Sequence, residues 1–242
     1  GGDIILSSAD NTQSQENTGT TEPAKEETVT ETTTEAVTET TTEPVTETTQ
    51  PPVEEVKPWD LLNNEPLNPA TSGYEELDRL IEAYMTMLKN EGTISDDMSP
   101  YQKVHSIYVW FIKRITYNRG MNVDAGKYST SDPETTPEEV LWATDLFNTY
   151  QGCCYNYSSA FMYIMRYLGY DAHLLSGQVS SYNGGTTPHC WLYVNLGGEA
   201  YTFDPDVDMN YYWRGVKEGR DGYSFLPQNG GHELFLYDRK VP

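Results

Sequence analysis

The first 57 positions of this 242-residue chain contain no aromatic residue and few large apolar ones. All 19 Tyr, 5 Trp and 6 Phe lie beyond residue 57. A stretch without such side chains cannot bury enough apolar surface to offset its chain entropy, which excludes a packed core there. Basic residues are also scarce: 15 Lys and Arg stand against 37 Asp and Glu, a formal net charge of -22, with -11 on each side of residue 57. So acidic a surface repels phosphate backbones and anionic lipid headgroups, which argues against both as partners. No apolar run reaches the roughly 18 to 20 residues that span a bilayer. Ile4-Ile5-Leu6 is too short for the apolar core of an export signal, and Gly1-Gly2 reads as a cloning remnant, so export is left open.

Cysteine is sparse too. Cys153, Cys154 and Cys190 are odd in number and two are adjacent, which suggests no disulfide framework. Their spacing does not fit a four-ligand structural zinc site either. Cys153 and Cys190 read as small buried residues. No cofactor and no metal is expected.

What residues 1–57 do contain is a repeat. VTETTTEA (29–36), VTETTTEP (37–44) and VTETTQPP (45–52) are successive octads. They are too short and polar for a solenoid, and like charges with Pro44, Pro51 and Pro52 favour an extended, disordered chain. Residues 1–57 are therefore expected to be an acidic stalk that holds a module off a cell surface, or else an interdomain linker.

Residues 58–242 are expected to form one domain of about 185 residues, within the usual size range. Residues 74–90 place Leu77, Leu80, Ile81, Tyr84 and Leu88 on one helical face, and Val104, Ile107, Tyr108, Phe111 and Ile115 do the same for 100–116. Ser99 and Pro100 suit the cap and first position of that second helix. A third helix is predicted from Thr136-Pro137 onward, and a fourth over 154–168, stopped by Gly169. Short strands are then predicted at 171–179, 189–196 and 199–204, separated by glycine-rich turns. Helices followed by an antiparallel set give an α+β fold, with helices packed against the sheet.

Three positions carry candidate chemistry. Cys154 opens the fourth helix, where unpaired N–H groups and the helix dipole favour a thiolate. His189 starts a strand, within reach to take and return the thiol's proton. Asp204 ends the next strand, and a two-glycine turn between the strands brings the carboxylate opposite the imidazole it would orient. Taken singly, each has a bland reading as a packed or turn residue.

Together, Gly152-x-Cys154-x-x-Tyr157-Ser158, the helix Phe161 to Leu168-Gly169, His189-Cys190-Trp191 and Phe203-Asp204-Pro205 resemble the transglutaminase-like superfamily over about 100–210. The resemblance implies a papain-like Cys154–His189–Asp204 triad. It also implies a thiol acyl-transfer enzyme acting on a protein or peptide, with a cell-surface or cell-wall peptide as candidate substrate. The thioester would be released by an amine, giving cross-linking, or by water. A cysteine peptidase or amidase uses the same machinery, and a non-catalytic surface binding module is the third reading. An extracellular or cell-surface location follows from the stalk and the resemblance. The backbone N–H of Cys154 is one expected oxyanion donor, with Gln151 or Tyr150 considered for the second.

Two departures stand out: Cys190 replaces a small alanine, and Asp206 stands where many relatives have threonine. Asp204, Asp206, Asp208 and Asn210 alternate like a calcium loop, but Met209 and Gly215 occupy positions that need Gly and Glu. His105, His173 and His232 read as packing or surface residues. The tail aromatics Tyr211, Tyr212, Trp213, Tyr223 and Phe225 either line a cleft or close the core.

Overall fold

The computed structural model describes residues 58–119, 128–180, 184–215, 228–229 and 236–241. The octad stalk, His232, Tyr223 and Phe225 lie outside the described residues. A short α1 (Pro58–Asn64) leads into α2 (Glu75–Asn90) and α3 (Pro100–Arg114). The Ser99 hydroxyl accepts from the Gln102 N–H, and the Gln102 side chain accepts from the Ser99 N–H. That reciprocal pair fixes the start of α3. β1 (Thr116–Tyr117) follows, then α4 (Glu138–Thr149), β2 (Gln151–Gly152) and α5 (Cys154–Leu168). β1 and β2 pair in parallel, setting Tyr117 opposite Gly152.

The second half is the sheet. β3 (Ala172–Ser180), β4 (Thr186–Leu196) and β5 (Glu199–Phe203) form a meander, α6 (Pro205–Trp213) comes next, and β6 (Gln228–Asn229) and β7 (Leu236–Val241) complete it. The order is β6-β5-β4-β3-β7 and every pairing is antiparallel. The α+β architecture expected from the sequence is the one observed. Six elements were not expected: the helices α1 and α6 and the strands β1, β2, β6 and β7. β4 also starts three residues before His189, because its pairing with β3 continues through Pro188 to Thr186.

α5 is the central element. From Cys154 to Met165 all but Tyr155 are buried, so this helix is enclosed by neighbours rather than laid on a surface. Phe161 packs edge-on against Tyr108 and Phe111, with ring centroids at 5.0 and 5.7 Å, and against Phe203 of β5 at 6.1 Å. Each fully buried aromatic of this size contributes on the order of 2–3 kcal/mol of transfer free energy. Two hydrogen bonds then fix the helix to its surroundings: Tyr157 Oη donates to the Ile115 carbonyl at 2.6 Å, and Ser158 Oγ to the Cys190 carbonyl at 2.8 Å. The second ties the start of α5 to the β4 segment that carries His189. Gly169 ends the helix at φ 106°, pressed against the backbone of Asn68. A side chain there would be excluded twice, by dihedral and by space.

Among the described residues, no helix is long and apolar enough to cross a membrane.

Candidate active site

The site forms where the N-terminus of α5 meets the ends of β4 and β5. Its first component is the entry to α5. Tyr150 caps α4 in the left-handed region, at φ 52°, and the chain turns through β2 directly into Cys153 and Cys154. Asn156 secures that entry: its Oδ1 accepts from the Cys153 N–H at 3.0 Å and its Nδ2 donates to the Trp142 carbonyl of α4 at 3.1 Å. A Cβ on Gly152 would collide with the Asn156 side chain. Glycine is therefore required here to admit the Asn156 side chain.

The second component is the β4–β5 hairpin. Its register pairs Leu192 with Phe203 and brings the chain just after β5 alongside the start of β4. His189 Nε2 meets Asp204 Oδ2 at 2.7 Å, both residues being buried. Asp204 Oδ1 at the same time accepts the Val207 N–H at 3.1 Å, capping α6. The imidazole stacks on Trp191, two residues along β4, with centroids at 5.8 Å and planes 18° apart. Opposite His189 on β3 is Gly177.

With Nε2 engaged by a carboxylate, the other ring nitrogen faces the rest of the site. Nδ1 lies 3.9 Å from Asp206 Oδ2. The thiol of Cys154, an imidazole nitrogen of His189 and a carboxylate oxygen of Asp206 all lie within 4.8 Å of one another, and all three residues are buried. Such a sulfur–nitrogen–oxygen set is also one that a zinc ion accepts. In the sequence Asp206 stands out as a departure from the family pattern and as one of the alternating acids, not as a member of the triad. Its signal was its place in the first turn of a helix that Asp204-Pro205 opens, two residues from the carboxylate that orients His189.

Charge is concentrated here. Burial pushes the Asp206 carboxyl up to about 7; the Asp204 and Cys153 charges add to this, while His189 and Arg119 oppose it. For His189, burial works against the imidazolium, but Asp204, Asp206 and Cys153 together outweigh it and raise its pKa. The two adjacent thiols titrate as a pair. The hydrogen bond from Cys154, helped by the N–H groups of Tyr155 and Asn156, overcomes burial and lowers Cys153 to about 6. The same hydrogen bond, with burial and the Cys153 charge, pushes the Cys154 thiol up. The stabilisation that the sequence suggested for Cys154 thus falls on its neighbour, because the helix N–H groups reach the capping residue rather than the first helical one. Tyr117 joins the group across β1: burial, then Asp206 and the two thiols, hold its phenol protonated far above the usual range.

The remaining candidates lie elsewhere. The Tyr150 hydroxyl points to the Met87 sulfur at 3.7 Å, and Gln151 Oε1 accepts from Asn118 at 3.2 Å. His105 packs on Tyr101 with centroids at 5.7 Å, and His173 pairs with Asp171 at 2.7 Å. Tyr211 and Tyr212 pack against the core, whereas Trp213 is 64% exposed. Residues 205–213 form a helix, so the alternating acids sit in its first turn rather than in a loop.

Comparison with known proteins agrees with the motifs. The family model described as the transglutaminase-like superfamily matches residues 89–205. No curated protein matches the chain. Similar solved structures include a proposed cysteine protease from Cytophaga hutchinsonii, 20% identical, covering 57% of this chain and 40% of that one with a TM-score of 0.38. Another is a TGase, 19% identical, covering 54% of this chain and 30% of that one with a TM-score of 0.33. The chain thus spans less than half the length of either. Over residues 89–205 the chain is thus similar to the transglutaminase-like superfamily.

Proposed function

We propose that this domain is a thiol acyl-transfer enzyme in which Cys154 attacks the carbonyl of a glutamine side-chain amide in a protein or peptide. The observation that carries the reading is the position of His189. One ring nitrogen is held by Asp204 at 2.7 Å, while the ring stands beside the Cys154 thiol and Asp206 within 4.8 Å. A carboxylate that accepts the Nε2 proton leaves Nδ1 to exchange a proton with the thiol. The thiol gives its proton to the imidazole, sulfur bonds to the carbonyl carbon, and the C–N bond breaks as His189 protonates the departing nitrogen, which leaves as ammonia. The N–H of Cys154 and the protonated Tyr117 phenol serve as oxyanion donors. Tyr117 takes the place considered for Tyr150 or Gln151, whose polar atoms are engaged away from the thiol.

A peptidase with the same triad is the second reading, because the three side chains define the nucleophile and its base without defining the acyl acceptor. Both readings fit a domain displayed at a cell surface on an acidic stalk. The test is mass spectrometry of a mixture of glutamine-containing peptides incubated with wild type and Cys154→Ala, with and without cadaverine. A cadaverine adduct on glutamine in the wild-type sample alone supports transfer, and backbone cleavage supports the peptidase. Identical spectra from both proteins would rule out catalysis by Cys154.

A further inference from the structure

Asp206 is buried beside the thiol but is not the carboxylate that orients the imidazole. That contact belongs to Asp204, whereas Asp206 Oδ2 stands 3.9 Å from Nδ1, beyond hydrogen-bond reach. Asp206 is nevertheless held in place. Asn210, one turn along α6, donates from Nδ2 to Asp206 Oδ1 at 3.1 Å and to its main-chain carbonyl at 3.0 Å. One carboxylate oxygen is thereby fixed to the helix, and the other is turned toward the imidazole and the thiol.

The surrounding charges define what this oxygen suits. Asp204, from the β5–α6 junction, and Cys153, from the start of α5, face Asp206 as negative groups. His189 of β4 and Arg119, just after β1, face it as cations, and the phenols of Tyr117 and Tyr157 adjoin it. Burial and the two anions outweigh the two cations, so the Asp206 carboxylate remains costly and a further cation would stabilise it. Water and neutral nucleophiles bring none. A primary ammonium does, and it must also lose a proton before it can attack a thioester.

Resting on the acyl-transfer reading, we infer that Asp206 is the acceptor subsite: it draws a cationic primary amine, such as a lysine side chain or a polyamine, to the acyl-enzyme and deprotonates it. The ammonium gives one proton to Asp206 Oδ2, and the free amine nitrogen bonds to the thioester carbonyl carbon. His189 takes the second proton from that nitrogen. The C–S bond then breaks, its electron pair returns to Cys154 Sγ, and the Asp206 proton passes to solvent.

The test uses the full chain, with p-nitrophenyl acetate to acetylate the thiol and two acceptors: cadaverine, a cation, and hydroxylamine, which is uncharged at neutral pH. The readout is the ratio of their aminolysis rate constants. In Asp206→Asn this ratio is expected to fall about 100-fold, the scale of a lost proton-transfer group, with Asp206→Glu restoring most of it. A ratio within about twofold of wild type in Asp206→Asn would overturn the inference. A second measurement needs no variant. Wild-type aminolysis by cadaverine should level off above about pH 7, where Asp206 becomes ionised. A rate that climbs steadily toward the amine's own pKa of about 10.4 would instead mean attack by free base without Asp206. If wild type gives no p-nitrophenolate burst that depends on Cys154, the acyl-transfer reading itself fails and this inference falls with it.

Discussion

Asp204 serves two elements at once: Oδ2 accepts from His189 Nε2 at 2.7 Å while Oδ1 accepts the Val207 N–H at 3.1 Å and so caps α6. The orientation of the imidazole and the start of a helix thus depend on one carboxylate. The two roles are separable by substitution. Asparagine caps a helix nearly as well as aspartate but cannot accept in the same way while holding the charge of the imidazolium. Asp204→Asn is expected to lower acyl transfer by roughly 10³- to 10⁴-fold with little loss of stability. Asp204→Ala should lose the same activity and about a further 1 kcal/mol of stability. Steady-state rates and thermal unfolding of the pair check this; equal unfolding midpoints would mean that the cap contributes nothing.

Cys153 and Cys154 share their protons, and the low titration at about 6 rests on Cys153. In Cys153→Ala that titration should disappear, and alkylation of Cys154 by iodoacetamide should require a higher pH than the first labelling step of wild type. Rate profiles against pH with peptide mapping read this directly. A Cys154 that still titrates near 6 in the variant would show that it carries the low pKa by itself.

Tyr117 lies opposite Gly152 across the β1–β2 pair, and its phenol stays protonated among the negative groups of the site. Tyr117→Phe removes one donor and little volume. The expected effect is a fall of about 10²-fold in the acylation rate, measured as the p-nitrophenolate burst, with unchanged thermal stability. An unaltered burst would remove Tyr117 from the oxyanion site.

Asp206 makes stability depend on pH. Its carboxyl titrates at about 7 in the folded protein and near 4 in an unfolded chain. The folded-state value is the higher one. The contribution is therefore complete below about pH 4 and is lost as pH rises through about 7, on the order of 4 kcal/mol in all. Asp206→Asn does not titrate, so its stability relative to wild type should grow between pH 4 and 8 in urea unfolding. A constant difference across that range would mean that Asp206 is not strained by burial.

The sequence displayed some parts of this molecule and hid others for physical reasons. α2 and α3 were legible because Leu77, Ile81, Tyr84 and Leu88, and Val104, Ile107 and Phe111, repeat at helical steps and are buried. The meander was legible because Gly197-Gly198 marks the turn that sets Leu192 against Phe203, and hence His189 near Asp204. α6 was not. Its buried residues include the carboxylates of Asp206 and Asp208, the latter hydrogen-bonded by the Tyr108 hydroxyl, so no apolar stripe announces it. The same is true of the site. Cys154, His189 and Asp204 stand in recognisable motifs, whereas Tyr117 and Asp206 enter through strand pairing and helix phase, which local pattern does not encode. The charge on Cys153 depends on which residue caps α5, a difference of a single position.

The account rests on Cys154 as the atom that carries the acyl group. The most direct test is to acetylate the protein with p-nitrophenyl acetate, quench it in acid and map the adduct by peptide mass spectrometry. An acetyl group on Cys154 in wild type and in Cys153→Ala, and none in His189→Ala, is the result the account predicts. An adduct on Cys153, or equal labelling of Cys154 without His189, would contradict it.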